Sequence, residues 1–159
     1  MRVFVAGGTG AVGGRAIPAL VREGHSVTAL ARTPEKVAAL TAQGATPASV
    51  SLFDRSALTA VFTGHDAVVN LATAIPSMRR WMSARAWRSD DRVRTEGSAA
   101  IVDAALAAGV DVLITMLLLA FLMHITVSVL TRSAMPGLAT SILPGLPGAV
   151  MLLTYVWTR

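Results

Sequence analysis

The chain of 159 residues is 53% hydrophobic and only 14% charged, has no cysteine, and carries a formal charge of +5. That length is enough for one domain with a real core, and the absence of cysteine excludes a disulfide framework and thiol chemistry. The charged fraction falls well short of the roughly one quarter usual in soluble domains, and the shortfall sits at one end: all nine acidic residues lie between Glu23 and Asp111, and beyond Asp111 the charged residues are Arg132 and Arg159.

"RVFVAG" opens the chain as a short apolar run ending at Gly7, the pattern of a buried parallel strand. No long apolar region with a cleavage site precedes it, so no signal peptide is expected. Residues 11–24 follow with Val12, Ala16, Ile17, Leu20 and Val21 at helical spacing and Gly24 as the stop. Pro18 is an awkward residue inside that helix. "HSVTALAR" predicts a second strand. "TPEKVAALTAQG" predicts a second helix, with Thr33 as N-cap, Pro34 at the first position, Glu35 in the first turn and Gly44 as the stop.

"ATPASVSLF" contains a third strand. "DRSALTAVFTG" predicts a third helix, capped by Asp54 and closed by Gly64. "HDAVVNLAT" is a fourth strand. Residues 74–89 read as a loop, 90–109 as a fourth helix ending at Gly109, and "VDVLIT" as a fifth strand. The densest basic run, Arg79–Arg94, is interrupted by Asp90 and Asp91 and reads as a solvated face rather than a nucleic-acid surface. Strands alternating with helices of this length mean βαβ units and a parallel sheet.

The chemistry lies in "VFVAGGTGAVGG". Gly7, Gly10 and Gly13 form a G-x-x-G-x-x-G pattern between a strand and a helix. A tight turn follows the strand, a glycine lets the backbone approach a pyrophosphate, and the last glycine lets helix and strand pack closely. The helix N-terminus then offers free N–H groups and the positive end of its dipole. The second strand ends at Arg32, with Lys36 a turn later, where sites selective for NAD carry an acidic residue about twenty positions on. An arginine there can meet a 2′-phosphate and stack on adenine, so NADP is favoured and NAD is the alternative. No metal site is expected.

These stretches, with "DAVVNLAT" and "WRSDDRVRTEGSAAIVDAALAAGV", make residues 1–115 resemble the N-terminal half of the short-chain dehydrogenase/reductase superfamily, extended or atypical type, in the NAD-dependent epimerase/dehydratase group. The resemblance implies a doubly wound, Rossmann-type sheet with a dinucleotide across its C-terminal edge. It carries Gly7, Thr9, Gly10, Val12 and Gly13 to the pyrophosphate and Arg32 to the adenosine ribose. Leu71, Ala72 and Thr73 go to the nicotinamide-side ribose. Family members often have an acidic residue after the third strand that touches adenine; here Ser51 takes that position, followed by Leu52, and Asp54 falls at the helix cap.

The family's Tyr-x-x-x-Lys pair, in which the lysine lowers the pKa of a proton-transferring tyrosine, is not found. The one lysine is Lys36 and the one tyrosine is Tyr155. Tyr155 and Arg159 have the spacing, with Ser141 upstream, but arginine is not a tunable partner, so Tyr155 is the weak catalytic candidate. The family's C-terminal substrate domain is also expected to be missing.

Residues 116–159 instead read as an apolar helical tail. Val112–Thr131 is twenty residues without a charge, long enough to span a bilayer, and 133–158 is a second uncharged stretch broken by Pro136, Pro144 and Pro147. His124 receives no role. Three readings of the tail stand open: a membrane anchor reaching over residues 112–158, a truncated or frame-shifted relative, or core helices of a small soluble or oligomeric protein. Function is open between an NAD(P)-dependent oxidoreductase or epimerase-like enzyme acting on an unknown small molecule and a dinucleotide-binding relative without turnover. In the first reading the 74–89 loop, with Trp81 and Trp87, covers the substrate. A cytoplasmic location, with or without membrane attachment, is expected.

Overall fold

In the computed structural model, which describes residues 1–115, the alternation of apolar and polar runs becomes five strands and five α-helices. The strands are β1 (Arg2–Ala6), β2 (Ser26–Leu30), β3 (Thr46–Ala48), β4 (Ala67–Asn70) and β5 (Val112–Thr115). The helices are α1 (Gly13–Arg22), α2 (Pro34–Ala42), α3 (Arg55–Phe62), α4 (Ala84–Arg92) and α5 (Ser98–Ala108). A 3₁₀ turn at Met78–Arg80 and a π-helical turn at Val93–Gly97 complete the set.

The sheet order is β3-β2-β1-β4-β5. β1 pairs in parallel with β2 on one side (Val3 beside Val27) and with β4 on the other (Val3 beside Ala67), and β2 pairs in parallel with β3. The chain winds outward from β1 in one direction, then returns past it to β4. β3 is an edge strand containing Pro47, the position where a missing N–H costs no ladder bond.

The period of two along β1 divides the core. Val3 and Val5 face one side with Ile17 of α1, Leu40 of α2, Val27 and Ala29. Phe4 and Ala6 face the other with Leu58 and Phe62 of α3, Ile101 and Ala104 of α5, and Val68. Strands apolar on both faces need helices on both faces, and the two clusters supply them. The Phe4 and Phe62 rings meet at 4.8 Å and a 60° tilt, within the favourable range for aromatic pairs.

The caps follow the sequence. The Thr33 hydroxyl accepts from the Lys36 N–H and the Asp54 carboxylate from the Ala57 N–H. Gly24, Gly44, Gly64 and Gly109 stand at the ends of α1, α2, α3 and α5, each with positive φ. Pro18 lies inside α1, and the helix runs through it; the next-door Ile17 is fully buried against the sheet.

One boundary is corrected. The helix expected from Asp90 starts at Ala84, so the supposed loop of residues 74–89 is helical over its last third. The inward face of α4 holds Trp87 and Asp90 rather than a run of aliphatic residues, so apolar periodicity did not mark it. Trp81 and Trp87 pack edge to face at 4.7 Å, and the Trp87 Nε1–H donates to the Trp81 carbonyl at 2.8 Å. Gly97, expected mid-helix, lies in the π turn with Leu52 against its α-carbon.

Met1–Ile114 forms one compact unit. Among the described residues no helix is long and apolar enough to cross a membrane, and Val112–Thr115 is sheet. The apolar tail, its membrane-spanning reading, His124, Ser141, Tyr155 and Arg159 lie outside the described residues.

Phe62→Ala removes a fully buried ring from the Phe4 cluster, and is expected to cost about 3–5 kcal/mol in chemical denaturation. Thr33→Ala removes the α2 cap and is expected to cost about 1 kcal/mol.

Candidate functional site

In a sheet of this order, the loops leaving β1 and β4 part toward opposite faces and open a crevice at the carboxyl ends of the strands. A cavity of about 600 Å³ lies there. The β1 turn contributes Gly7, Thr9 and Gly10; the end of β2 contributes Leu30 and Arg32, with Lys36 from α2. The β3–α3 connection contributes Leu52 and Phe53, and the β4 loop contributes Leu71, Ala72, Thr73 and Ala74. Ser89, Arg92 and Val93 close the far wall.

The β1 turn is shaped by the absence of side chains. Gly7 has φ +81°, and a Cβ there would stand 2.5 Å from the Leu71 carbonyl carbon and 2.7 Å from the Ala72 nitrogen. The two loops that border the crevice are therefore in backbone contact through Gly7. A Cβ on Gly13 would run into the Gly7 carbonyl and lie 2.6 Å from the Gly8 α-carbon. The start of α1 is pressed against the turn that follows β1, which needs a glycine on the helix side. Gly10 differs: a Cβ there would meet the Gly7 carbonyl at 3.3 Å and nothing else. Its α-carbon faces the open cavity.

The Gly10 N–H donates to Gly7, Gly14 to Gly10, and Arg15 and Ala16 both to Val12. Among the described residues none accepts from the N–H groups of Ala11, Val12 and Gly13. Those are the orphan donors of a helix start, gathered at the positive end of its dipole. The cavity wall is cationic, with Arg32, Lys36 and Arg92 lining it and no carboxylate among the lining residues.

Most of the residues expected at the site come together in this cavity: Gly7, Thr9, Gly10, Arg32, Leu52, Leu71, Ala72 and Thr73. Three do not line it. Gly13 is buried beneath the turn. Val12, half exposed, borders a separate open hollow with Ala11, Arg15 and Ala16. Ser51 turns its hydroxyl to the Phe53 N–H at 3.3 Å, so it shapes the connection without facing the cavity.

Sequence reasoning missed Phe53 and Arg92 on the cavity wall and two buried polar residues, Asp90 and Asn70, behind it. The Phe53 ring carries the Arg92 guanidinium 4.3 Å above its centroid, a cation–π distance, and Arg92 is held from outside by Glu96 at 2.9 Å. Asp90, read as an interruption of a basic run, is 1% exposed and accepts the Ala74 N–H at 2.7 Å. The signal for Asp90 was present as an acidic residue four before Arg94, its ion-pair partner. The fold partner Ala74, sixteen residues away, was not. Asn70, also buried, bridges the loop to α5: its Nδ2 donates to the Ser98 hydroxyl and its Oδ1 accepts from the Ala72 N–H at 3.1 Å.

Comparison with known proteins gives a family match and partial relatives. A family model described as NAD(P)H-binding matches residues 7–131. A 3-diazoavenalumate denitrifying reductase from a Streptomyces species is 38% identical over 115 residues, covering 69% of this chain and 35% of that protein. The NADPH-dependent quinone oxidoreductase of Escherichia coli, in complex with NADPH, superposes with a TM-score of 0.56 at 25% identity over 71% of this chain and 35% of its own. The UDP-glucose 4-epimerase of Stenotrophomonas maltophila, with bound NAD, shares the fold at a TM-score of 0.63 and 23% identity, over 72% of this chain and 36% of its own. The chain spans about a third of the length of these relatives.

Adjacent glycines in α1 make a direct test of the packing argument. Gly13→Ala is expected to destabilise by about 1–3 kcal/mol, since its methyl meets backbone on two sides. Gly14→Ala, whose methyl meets nothing within 4 Å, is expected to stabilise by up to about 1 kcal/mol from helix propensity. Thermal unfolding of the two variants beside wild type reads both signs.

Proposed function

This chain belongs to the NAD(P)H-binding family, and from that membership we propose that residues 1–115 hold NADP(H) in the crevice between the β1 turn and the β4 loop, as the cofactor domain of an oxidoreductase or epimerase-like enzyme acting on a small molecule. The observation that carries this reading is one cavity lined by a glycine turn and by the cations Arg32, Lys36 and Arg92, with that turn leading directly into a helix start whose N–H groups are unpaired among the described residues.

The residues fit the group. The pyrophosphate is assigned to Gly7, Thr9 and Gly10 at the start of α1, where a Cβ-free backbone and orphan N–H groups suit an anion. Val12 and Gly13 are assigned to the same end, Val12 through its backbone N–H and Gly13 by seating the helix. Arg32 and Lys36 meet the 2′-phosphate of the adenosine ribose, with no acidic residue on the cavity wall to accept a ribose hydroxyl instead. Leu52 and Phe53, with Ser51 behind them, form the wall for adenine. Leu71, Ala72 and Thr73 border the nicotinamide half. When bound, the nicotinamide supplies or accepts a hydride; the chain's own part is to orient it and to exclude water.

A second reading, binding without turnover, is favoured by Lys36. The one lysine lies on α2 beside Arg32, at the opposite end of the cavity from the β4 loop where a lysine would serve a proton-transferring tyrosine. The catalytic residues of the first reading are left open, with Tyr155 its weak candidate. Attachment to a membrane through residues 116–158 is a further proposal, independent of the cofactor site.

Fluorescence titration with NADPH and NADH on the full chain, in mild detergent, tests the cofactor assignment. Wild type is expected to saturate with NADPH at lower concentration than with NADH. Gly10→Asp, whose Cβ meets the Gly7 carbonyl at 3.3 Å and which fills the phosphate end with a side chain and a negative charge, is expected to abolish binding of both in a variant shown to be folded. Arg32→Ala is expected to weaken NADPH about tenfold, roughly 1.4 kcal/mol, and NADH little. A folded wild-type protein that binds neither nucleotide overturns the proposal.

A further inference from the structure

Asp90 is the one charged residue among the described residues that is fully buried, and the cofactor contacts assigned above make no use of it. A carboxylate taken out of water is costly unless it is paired and hydrogen-bonded, so its surroundings show what it holds. One oxygen accepts the backbone N–H of Ala74 at 2.7 Å; the other takes the Nε–H of Arg94. Arg94 is partly exposed, with its side chain 42% accessible against 2% for that of Asp90. The carboxylate thus stands as a bolt, with its inner end on the β4 loop and its outer end on a surface arginine.

The bolt is set by irregular backbone. Asp90 lies near the end of α4, and Arg94 lies in the π turn that follows, Val93–Gly97. A π turn shifts the helical register by one residue. On one side of this stretch Ser89, Arg92 and Val93 face the cavity; between them Asp90 reaches the loop. The loop itself, Leu71–Ala74, is tied at three places: to β1 by the Leu71 N–H on the Ala6 carbonyl at 2.9 Å, to Asn70 by the Ala72 N–H, and to Asp90 by the Ala74 N–H. The first two ties lie at the strand end. Asp90 holds the far end, past Thr73.

We propose that Asp90 is a positioning residue that pins the free end of the Leu71–Ala74 loop against the cavity and so sets affinity for the nicotinamide half of the dinucleotide, without touching the cofactor. The inference rests on the reading of the cavity as a dinucleotide site. Its consequence is selective. A ligand consisting of the adenosine half alone, adenosine 2′,5′-bisphosphate, reaches Arg32, Lys36 and the adenine wall but not the loop, and is indifferent to Asp90. NADPH spans both ends and is not.

The test is calorimetric titration of NADPH and of adenosine 2′,5′-bisphosphate into wild type, Asp90→Ala and Asp90→Asn, with far-ultraviolet dichroism and thermal unfolding as folding controls. Asp90→Ala is expected to weaken NADPH by about tenfold, from loss of a charge-assisted hydrogen bond that orders the loop, with the half-ligand within about twofold of wild type. Asp90→Asn keeps an oxygen for the Ala74 N–H and is expected to restore most of the NADPH affinity. A folded Asp90→Ala that binds NADPH as wild type does, or that loses both ligands equally, overturns the proposal. Should Asp90→Ala not fold, Arg94→Gln decides, because it alters a partly exposed residue and frees the outer end of the carboxylate. About threefold selective weakening of NADPH is then expected, and unchanged NADPH affinity overturns the proposal. Failure of wild type to bind either ligand refutes the dinucleotide reading itself and is distinguished from failure of the Asp90 inference, which needs wild type to bind both.

Discussion

The crevice depends on the contact between Gly7 and the Leu71–Ala72 peptide. β1 and β4 are neighbours in the sheet, but the helices that follow them lie on opposite faces, so their outgoing loops must separate within a few residues of the strand ends. They separate from a point of backbone contact, with no room for a Cβ between them. The turn that curls away from this contact leads straight into α1, and Gly13 brings the helix start back against the same turn. Two glycines thus set where a helix N-terminus points relative to the sheet edge, and that direction is what makes its orphan N–H groups useful to an anion.

The other walls inherit their positions from this one. The two apolar clusters hold α1 and α2 on one face of the sheet and α3 and α5 on the other, and the cavity opens where the loops from both faces meet. Leu52 belongs to the Phe4 cluster and also lines the cavity, so the core packing and the cavity wall share a residue. The absence of a side chain at Gly97 leaves space for Leu52. Charge is distributed with the same economy. Arg32 and Lys36 stand at one end, whereas Arg92 is restrained by Phe53 beneath it and Glu96 beside it. Glu35, at the start of α2, has its carboxyl held below the usual glutamate range by the Thr33 hydroxyl and its own backbone N–H. The small stabilisation this gives is complete above the ordinary glutamate pKa and lost as pH falls through the depressed one.

On the β4 side of the crevice Leu71 and Ala72 pack against the apolar clusters, and polar bonds from buried side chains hold the loop as well. Asn70 and Asp90 are both buried, and each gives one side-chain oxygen to a backbone N–H of the loop they flank. A loop near a ligand cannot bury much apolar surface of its own and has unpaired N–H groups to satisfy. Side-chain carbonyl and carboxylate oxygens meet that need while leaving the cavity face free. Exposed Trp81, Met78 and Met82 lie beyond this loop, where the tryptophans pack on each other.

The sequence by itself determined the alternation of strands and helices, the caps at Thr33 and Asp54, the helix stops at glycine, the strand-turn-helix of the glycine motif and the cation at the end of β2. These are local: each follows from residues within about one helical turn of each other, whose backbone conformations and hydrogen bonds need no distant partner. Only the tertiary structure decided that Gly7 abuts Leu71, that Val12 and Ser51 do not line the cavity while Phe53 and Arg92 do, that α4 begins at Ala84, and that Asp90 is buried on Ala74. The reason is the same in each case. A polar residue on a buried face carries no periodic signature, and a glycine required by a peptide more than sixty residues away looks, in the sequence, like any other glycine in a turn.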